Sequence, residues 1–267
     1  MAWPSIYGID VNKLTGTPSQ PAEKPTIVLV HDAFLTATHM LPLHNGLLEL
    51  DYRVQSPQLP STGFVYQADI VEADIEAIVN SARSELRAGR NIVMVVAGYG
   101  AVPATIAADR LNLWSLETPR AGRVVRFVFI SALLLREGER VGNAITLPPN
   151  SLEIDRMIRL KDSAAHQLFQ PCRPTYLTPA VRAMQHLNSA VLTTPNPVEA
   201  WRTIPSVYIV CELDNNLIPS AQEQYAARLQ ADNPHARVLR VPFGHAPYTT
   251  NATQLTTMID RLSAMAS

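Results

Sequence analysis

The run Ile92-Val-Met-Val-Val-Ala97 ends in Gly98-Tyr99-Gly100, a stretch that reads as a buried strand entering a sharp turn. Such a turn, followed by a helix, lifts a catalytic hydroxyl above a sheet when it carries the pattern G-x-S-x-G. Here the five positions are Val96, Ala97, Gly98, Tyr99 and Gly100, so only the final glycine of the pattern is kept. With no hydroxyl or thiol at position 98, nothing there can attack a carbonyl and become acylated. Groups able to move protons follow other apolar runs: Asp32 after Val28-Leu-Val-His31, Asp214 after Tyr208-Ile-Val-Cys-Glu-Leu213, and His245 after Val241-Pro-Phe-Gly244. A nucleophile's turn thus lacks its nucleophile, while a histidine and two carboxylates remain at comparable places.

Placing these groups together requires a sheet whose strand ends converge. Thr26 to Val30 is a continuous apolar run, as expected of a strand buried on both faces in a parallel sheet. Tyr52 to Ser56, Val124 to Ala132, Ser206 to Cys211 and Val238 to Val241 are further strand candidates. Between Gln67 and Ala88 the residues Ile70, Val71, Asp74, Ile75, Ile78, Val79 and Ala82 fall largely on one helical stripe, and Gly89 supplies a stop. Ala101 to Leu113 reads as a helix with Pro103 tolerated in its first turn. Strands alternating with helices predict an α/β fold with a mostly parallel, doubly wound sheet. From Gly142 to Trp201 the strand rhythm lapses, and Leu152 to Phe169 and Thr178 to Leu187 look helical. The expected division is an N-terminal extension over 1–24, a core over 25–142 and 201–267, and a helical cap inserted over 143–200. The cap helices could instead pack on the flank of the sheet.

The 267 residues suffice for one large domain with a substantial core. A formal net charge of −1 and the lack of a Lys/Arg cluster argue against a nucleic-acid partner. No stretch reaches the roughly 20 apolar residues of a membrane span, and Met1 to Lys24 lacks the apolar run of a signal peptide. A soluble, cytoplasmic protein is expected, with a small-molecule substrate as its partner and a homodimer left open. The cysteines Cys172 and Cys211 make no redox or metal spacing, and the seven histidines form no ligand-like pair with a neighbouring carboxylate, so no metal and no cofactor are expected.

The stretches Val28-Leu-Val-His-Asp-Ala33, Leu59-Pro-Ser-Thr-Gly63, Tyr99-Gly100, Tyr208 to Asp214 with Ile218-Pro219, and Gly244-His245, in this order, resemble the α/β-hydrolase superfamily from Pro25 onward. More narrowly the chain is similar to the branch of small methyl-esterases and hydroxynitrile lyases and their fungal and bacterial relatives. That resemblance implies the α/β-hydrolase fold, with Asp214 as the acid, His245 as the base, and the backbone N–H groups of Ala33 and Tyr99 as oxyanion donors. It aligns the family's serine with Gly98 and the glycine of its His-Gly turn with Asp32. In the resembled lyases the position of Asp32 carries a hydroxyl that takes part in the chemistry, so Asp32 is expected to face the cavity and act as a second acid or base. An Asp that merely forms a turn is the alternative. His31, Phe34, Phe169 and Tyr176 are candidates for the substrate pocket, although His31 reads more readily as a residue that bonds a loop carbonyl, and Phe169 and Tyr176 more readily as cap core.

A retained histidine and oxyanion turn without a nucleophile suit proton transfer beside a carbonyl. The expected function is a cofactor-independent lyase, isomerase or cyclase acting on a small carbonyl compound of secondary metabolism. An esterase-type hydrolase, either water-activating or bearing an engineered glycine in place of serine, is one alternative; a non-catalytic binding protein is another.

Overall fold

The computed structural model describes residues 23–63, 66–145, 147, 151–171 and 174–265. Its main sheet has six parallel strands: β1 (Thr26–Val30), β2 (Val54–Gln55), β3 (Ile92–Ala97), β4 (Val124–Ile130), β8 (Ser206–Cys211) and β9 (Arg237–Val241), in the order β2-β1-β3-β4-β8-β9. Their sequences explain the arrangement. Every residue of β1, β3 and β8 is buried, which only strands covered by helices on both faces can tolerate. Each fully buried Val, Ile or Leu stabilises the fold by about 1.5–3 kcal/mol relative to exposure, so these strands form the centre of the core.

Helices α1 (Leu41–Glu49), α2 (Ile70–Arg87), α3 (Ala101–Glu117), α7 (Pro219–Asp232), α8 (Pro247–Thr250) and α9 (Ala252–Ala264) flank the sheet. The stripe anticipated on α2 is the face it buries, from Ile70 to Leu86, and Gly89 follows with φ 81°. None of the helices is long and apolar enough to cross a membrane, among the described residues.

The segment between β4 and β8 departs from expectation. Leu152 to Phe169 is not one helix: β5 (Leu152–Ile154) and β6 (Met157–Arg159) form an antiparallel hairpin joined in a small sheet by β7 (Leu187–Asn188). Among the described residues the segment's α-helices are Asp162–Leu168 (α5) and Pro174–Ala183 (α6), with the short α4 (Val141–Ala144) before them, and single 3-10 turns follow at Ser189–Leu192 and Ala200–Arg202. The hairpin turn uses Asp155 and Arg156 at positive φ, 49° and 63°, without the glycine that would have marked it. This layer reaches the main sheet at Gly244, where an added Cβ would fall 1.7 Å from the carbonyl oxygen of Gln170. The loop that carries His245 is therefore clamped directly beneath the segment.

Candidate active site

Five adjacent strands deliver the site's residues at their carboxyl ends, where open α/β sheets place their ligand sites. Asp32 follows β1, Gly98 and Tyr99 follow β3, Ser131 follows β4, Asp214 follows β8 and His245 follows β9. Asp32, Ser131, Asp214 and His245 are all buried.

Asp214 is anchored more firmly than a lone carboxylate would be. Its Oδ1 accepts from the backbone N–H of Asn216 at 2.7 Å and of Leu217 at 3.0 Å, and its Oδ2 accepts from Gln222 Nε2 at 3.0 Å and from the Ser131 hydroxyl. The same Oδ2 lies 2.8 Å from His245 Nδ1. Burial alone would raise the Asp214 carboxyl, yet the neighbouring imidazole and these hydrogen bonds hold it below its ordinary value. It is thus a fixed negative charge that sets the orientation of the ring.

The other face of the ring differs from the expectation of a nitrogen left free to accept a proton. His245 Nε2 lies 2.7 Å from Asp32 Oδ2, so the imidazole is bracketed by two carboxylates. Burial opposes a charge on His245, but Asp214 first and Asp32 second outweigh it and push the ring up to about 10. At neutral pH the resting ring is an imidazolium, a proton donor rather than an acceptor.

Asp32 faces the cavity and does not merely close a turn. Its Oδ1 accepts from the backbone N–H groups of Ala33 and Tyr99, each at 2.6 Å. The two expected oxyanion donors do converge on one point, but the protein's own carboxylate occupies it. Gly98 makes this possible. It has φ 47°, and a Cβ built on it would fall 2.0 Å from Asp32 Cγ and Oδ1. The carboxylate of Asp32 therefore fills the space that a side chain at position 98 would need, and the two residues are sterically coupled.

Tyr99 points its side chain away from the reacting groups. Its hydroxyl donates to Asp74 Oδ2 at 2.7 Å, while Asp74 Oδ1 accepts from the Ser61 backbone N–H at 2.8 Å. Burial raises Asp74 to about 6 despite those two bonds. A carboxyl raised in the folded state binds its proton more tightly there, so Asp74 makes the fold more stable as pH falls from above about 6 towards 3.8. Asp74→Asn keeps an acceptor for Ser61 and removes this titration. Chemical denaturation across pH should show wild type gaining stability relative to the variant on acidification from about pH 7 to 5, by about 1–2 kcal/mol.

His31 does not line the cavity. Its Nε2 accepts from the Leu59 N–H at 2.9 Å, and its Nδ1 is 2.9 Å from the Asp32 carbonyl oxygen, so it braces the loop that presents Asp32. Burial pushes it down to about 4, which keeps it neutral and suited to accept at one nitrogen and donate from the other. Phe169 is likewise removed from the cavity, fully buried and stacked on His39 at 5.6 Å. Tyr176 belongs to α6, and its side chain lies outside the described residues, as does Cys172.

The cavity above the carboxylate–imidazole–carboxylate row is about 80 Å³ and is bordered by Phe34, Leu133, Leu160, Leu168, Asn216 and Leu217. Phe34 is where the sequence placed it. Asn216, whose amide nitrogen lies 3.2 Å from His245 Nε2, and Ser131 were not anticipated. Neither belongs to a recognisable motif; Asn216 could have been flagged only because it stands two residues after Asp214. Among the described residues no three His, Cys, Asp or Glu side chains group as a metal site.

Comparison with known proteins agrees with this geometry at the level of the fold. The chain is 26% identical over 242 residues to the alpha/beta hydrolase nvfD of Aspergillus novofumigatus, covering 88% of this chain and 95% of that protein. It is 24% identical to a probable hydrolase of a Phoma species, over 91% of this chain and 99% of the relative. A pyrethroid hydrolase from Sphingobium faniae superposes with a TM-score of 0.68 at 19% identity, covering 90% of this chain and 97% of that one. Tomato methylketone synthase I in complex with 2-tridecanone superposes with a TM-score of 0.71 at 15% identity, covering 91% and 99%. The alpha/beta hydrolase family model matches residues 27–255, and the chain belongs to that family.

Proposed function

We propose that this protein is a cofactor-independent acid–base enzyme of lyase, isomerase or cyclase type, acting on a small carbonyl compound without a covalent intermediate at position 98. The observation that carries the reading is the Asp32 carboxylate bridging His245 Nε2 and the N–H groups of Ala33 and Tyr99, in the space vacated by a side chain at Gly98. A carboxylate and an imidazolium in contact form a matched base and acid. The substrate's carbonyl oxygen takes the place of Asp32 Oδ1 on the two backbone donors, and the displaced carboxylate turns toward the carbon next to that carbonyl. Asp32 then accepts a proton from this carbon while His245 donates one to the developing enolate oxygen. Return of a proton to a different carbon gives isomerisation, and loss of a neighbouring group gives lysis. General acid–base groups so positioned contribute about 10²–10⁴-fold each, and backbone donors at an oxyanion add about 3–4 kcal/mol. Support by analogy comes from the methylketone synthase fold neighbour, solved with the ketone 2-tridecanone and also with beta-ketoheptanoate.

A second reading, favoured by the hydrolase names of both fungal relatives, has the same pair activate water against an ester or lactone. The test is deuterium incorporation. Simple ketones and β-keto acids incubated with the protein in D₂O should exchange their α-protons, as followed by NMR, and His245→Ala should slow that exchange by about 10²–10⁴-fold. Exchange at an unchanged rate in His245→Ala would rule out the first reading. Steady-state cleavage of esters without exchange would establish the second, and tight retention of an unaltered ligand would indicate a carrier.

A further inference from the structure

A second cavity, of about 590 Å³, lies on the far side of α5 from the candidate active site. Leu160 borders both cavities, and within α5 Ala165 and His166 face the larger one while Leu168 faces the smaller. The larger cavity is lined by Arg159, Arg182, His166 and His186 together with apolar residues that include Leu160 and Met184, and among the described residues no Asp or Glu lines it. Neither Arg159 nor Arg182 forms an ion pair with a carboxylate among the described residues. Arg159 and Arg182 are both exposed, and two guanidinium groups beside apolar surface are an amphiphilic, anion-selecting arrangement. The space beside the catalytic row, about 80 Å³, holds only a few heavy atoms, whereas small-molecule sites usually span about 300–1,000 Å³. A substrate of ordinary size must extend beyond it, and Leu160 is the residue that borders both this space and the cationic cavity.

The geometry points to this second cavity as the binding site for the carboxylate end of an amphiphilic acid, whose apolar chain lies along Leu160 and whose carbonyl reaches Asp32 and His245. The substrate class so defined is a keto acid or acyl derivative carrying a free carboxylate remote from the reacting carbonyl. This assignment builds on the acid–base reading above, but its test does not depend on turnover.

Isothermal titration with decanoate, with the neutral analogue 2-decanone and with acetate provides that test. Wild type should bind decanoate more tightly than 2-decanone, and the double variant Arg159→Gln/Arg182→Gln should weaken decanoate by about tenfold or more, as loss of hydrogen bonds to a charged group implies. The affinity for 2-decanone should be unchanged, which also reports that the variant is folded. Raising the salt should weaken decanoate and leave the ketone alone. Titration reads decanoate binding without turnover, so a failure of catalysis and a failure of this site are told apart. Undiminished decanoate binding by the double variant, absence of decanoate binding by wild type, or acetate binding as tightly as decanoate would each overturn the assignment.

Discussion

Gly98→Ser alone should yield a damaged protein and no esterase, whereas Gly98→Ser combined with Asp32→Gly should release an aryl ester's alcohol in a burst equal to the enzyme present. The expectation follows from the contact between the two positions. A Cβ at 98 would overlap the Asp32 carboxylate at 2.0 Å, and φ 47° adds the strain that any side chain meets in the left-handed region. To admit the serine, Asp32 must leave the N–H groups of Ala33 and Tyr99 and its contact with His245. A buried carboxylate deprived of such partners costs about 1–3 kcal/mol per lost bond. With Asp32→Gly the obstruction is gone and both oxyanion donors are vacant. The serine hydroxyl then stands in place of Asp32 Oδ2 beside His245 Nε2, with Asp214 still holding the ring from behind. A thermodynamic cycle over the two substitutions should show favourable coupling of about 1–3 kcal/mol, since neighbours that share space are not additive. A burst from Gly98→Ser alone would mean that Asp32 yields without cost, and additive stabilities would mean that the two residues do not compete.

That coupling also marks the boundary of what the amino-acid sequence discloses. The sheet is readable because a parallel strand buried on both faces leaves an unmistakable trace, as in Thr26–Val30, Ile92–Ala97 and Ser206–Cys211. The residues that follow those strands are readable for the same reason: once the strands are parallel neighbours, Asp32, Gly98, Asp214 and His245 must collect at one edge. Whether Asp32 turns inward is a question of χ angles, and no pattern of residue types answers it. Ser131 is invisible because its role depends on standing between β3 and β8, a proximity created by the sheet order alone. The hairpin of β5 and β6 misled for a physical reason as well. Its strands are three residues long, their partner β7 lies far along the chain, and Leu152 and Ile154 are exposed while Met157 and Ile158 are buried, so no two-residue alternation runs through the segment. His31 and Phe169 are ambiguous from residue types alone, and the structure takes the plainer of the two readings for each. Adjacency in sequence to Asp32, or an aromatic ring in the inserted segment, suggested a pocket, but a neutral imidazole bonded to Leu59 N–H and a ring stacked on His39 are both structural.

Replacing Asp32 separates charge from shape and should have the larger functional effect. In Asp32→Asn the side chain keeps its volume and an oxygen for the Ala33 and Tyr99 N–H groups, but the negative charge beside His245 Nε2 is gone. Burial then opposes the imidazolium with only Asp214 in its favour, so the ring's titration, followed by imidazole NMR, should move down from about 10. The sign of the stability change follows from linkage. A histidine whose folded value lies above its unfolded value of about 6.5 contributes fully below that pH, and the contribution is lost as pH rises through about 10. Wild type should therefore lose stability between about pH 6.5 and 10, and Asp32→Asn should lose less over the same interval because its histidine deprotonates sooner. Proton exchange at a substrate carbon should fall by about 10²–10⁴-fold in Asp32→Asn, since the amide cannot accept a proton at neutral pH. The same variant should still bind the ketone, because the apolar wall of Phe34, Leu133 and Leu168 is untouched. An unshifted histidine in Asp32→Asn would show that Asp214 alone charges the ring, and undiminished exchange would remove Asp32 from the chemistry altogether, leaving it as a plug in the oxyanion site.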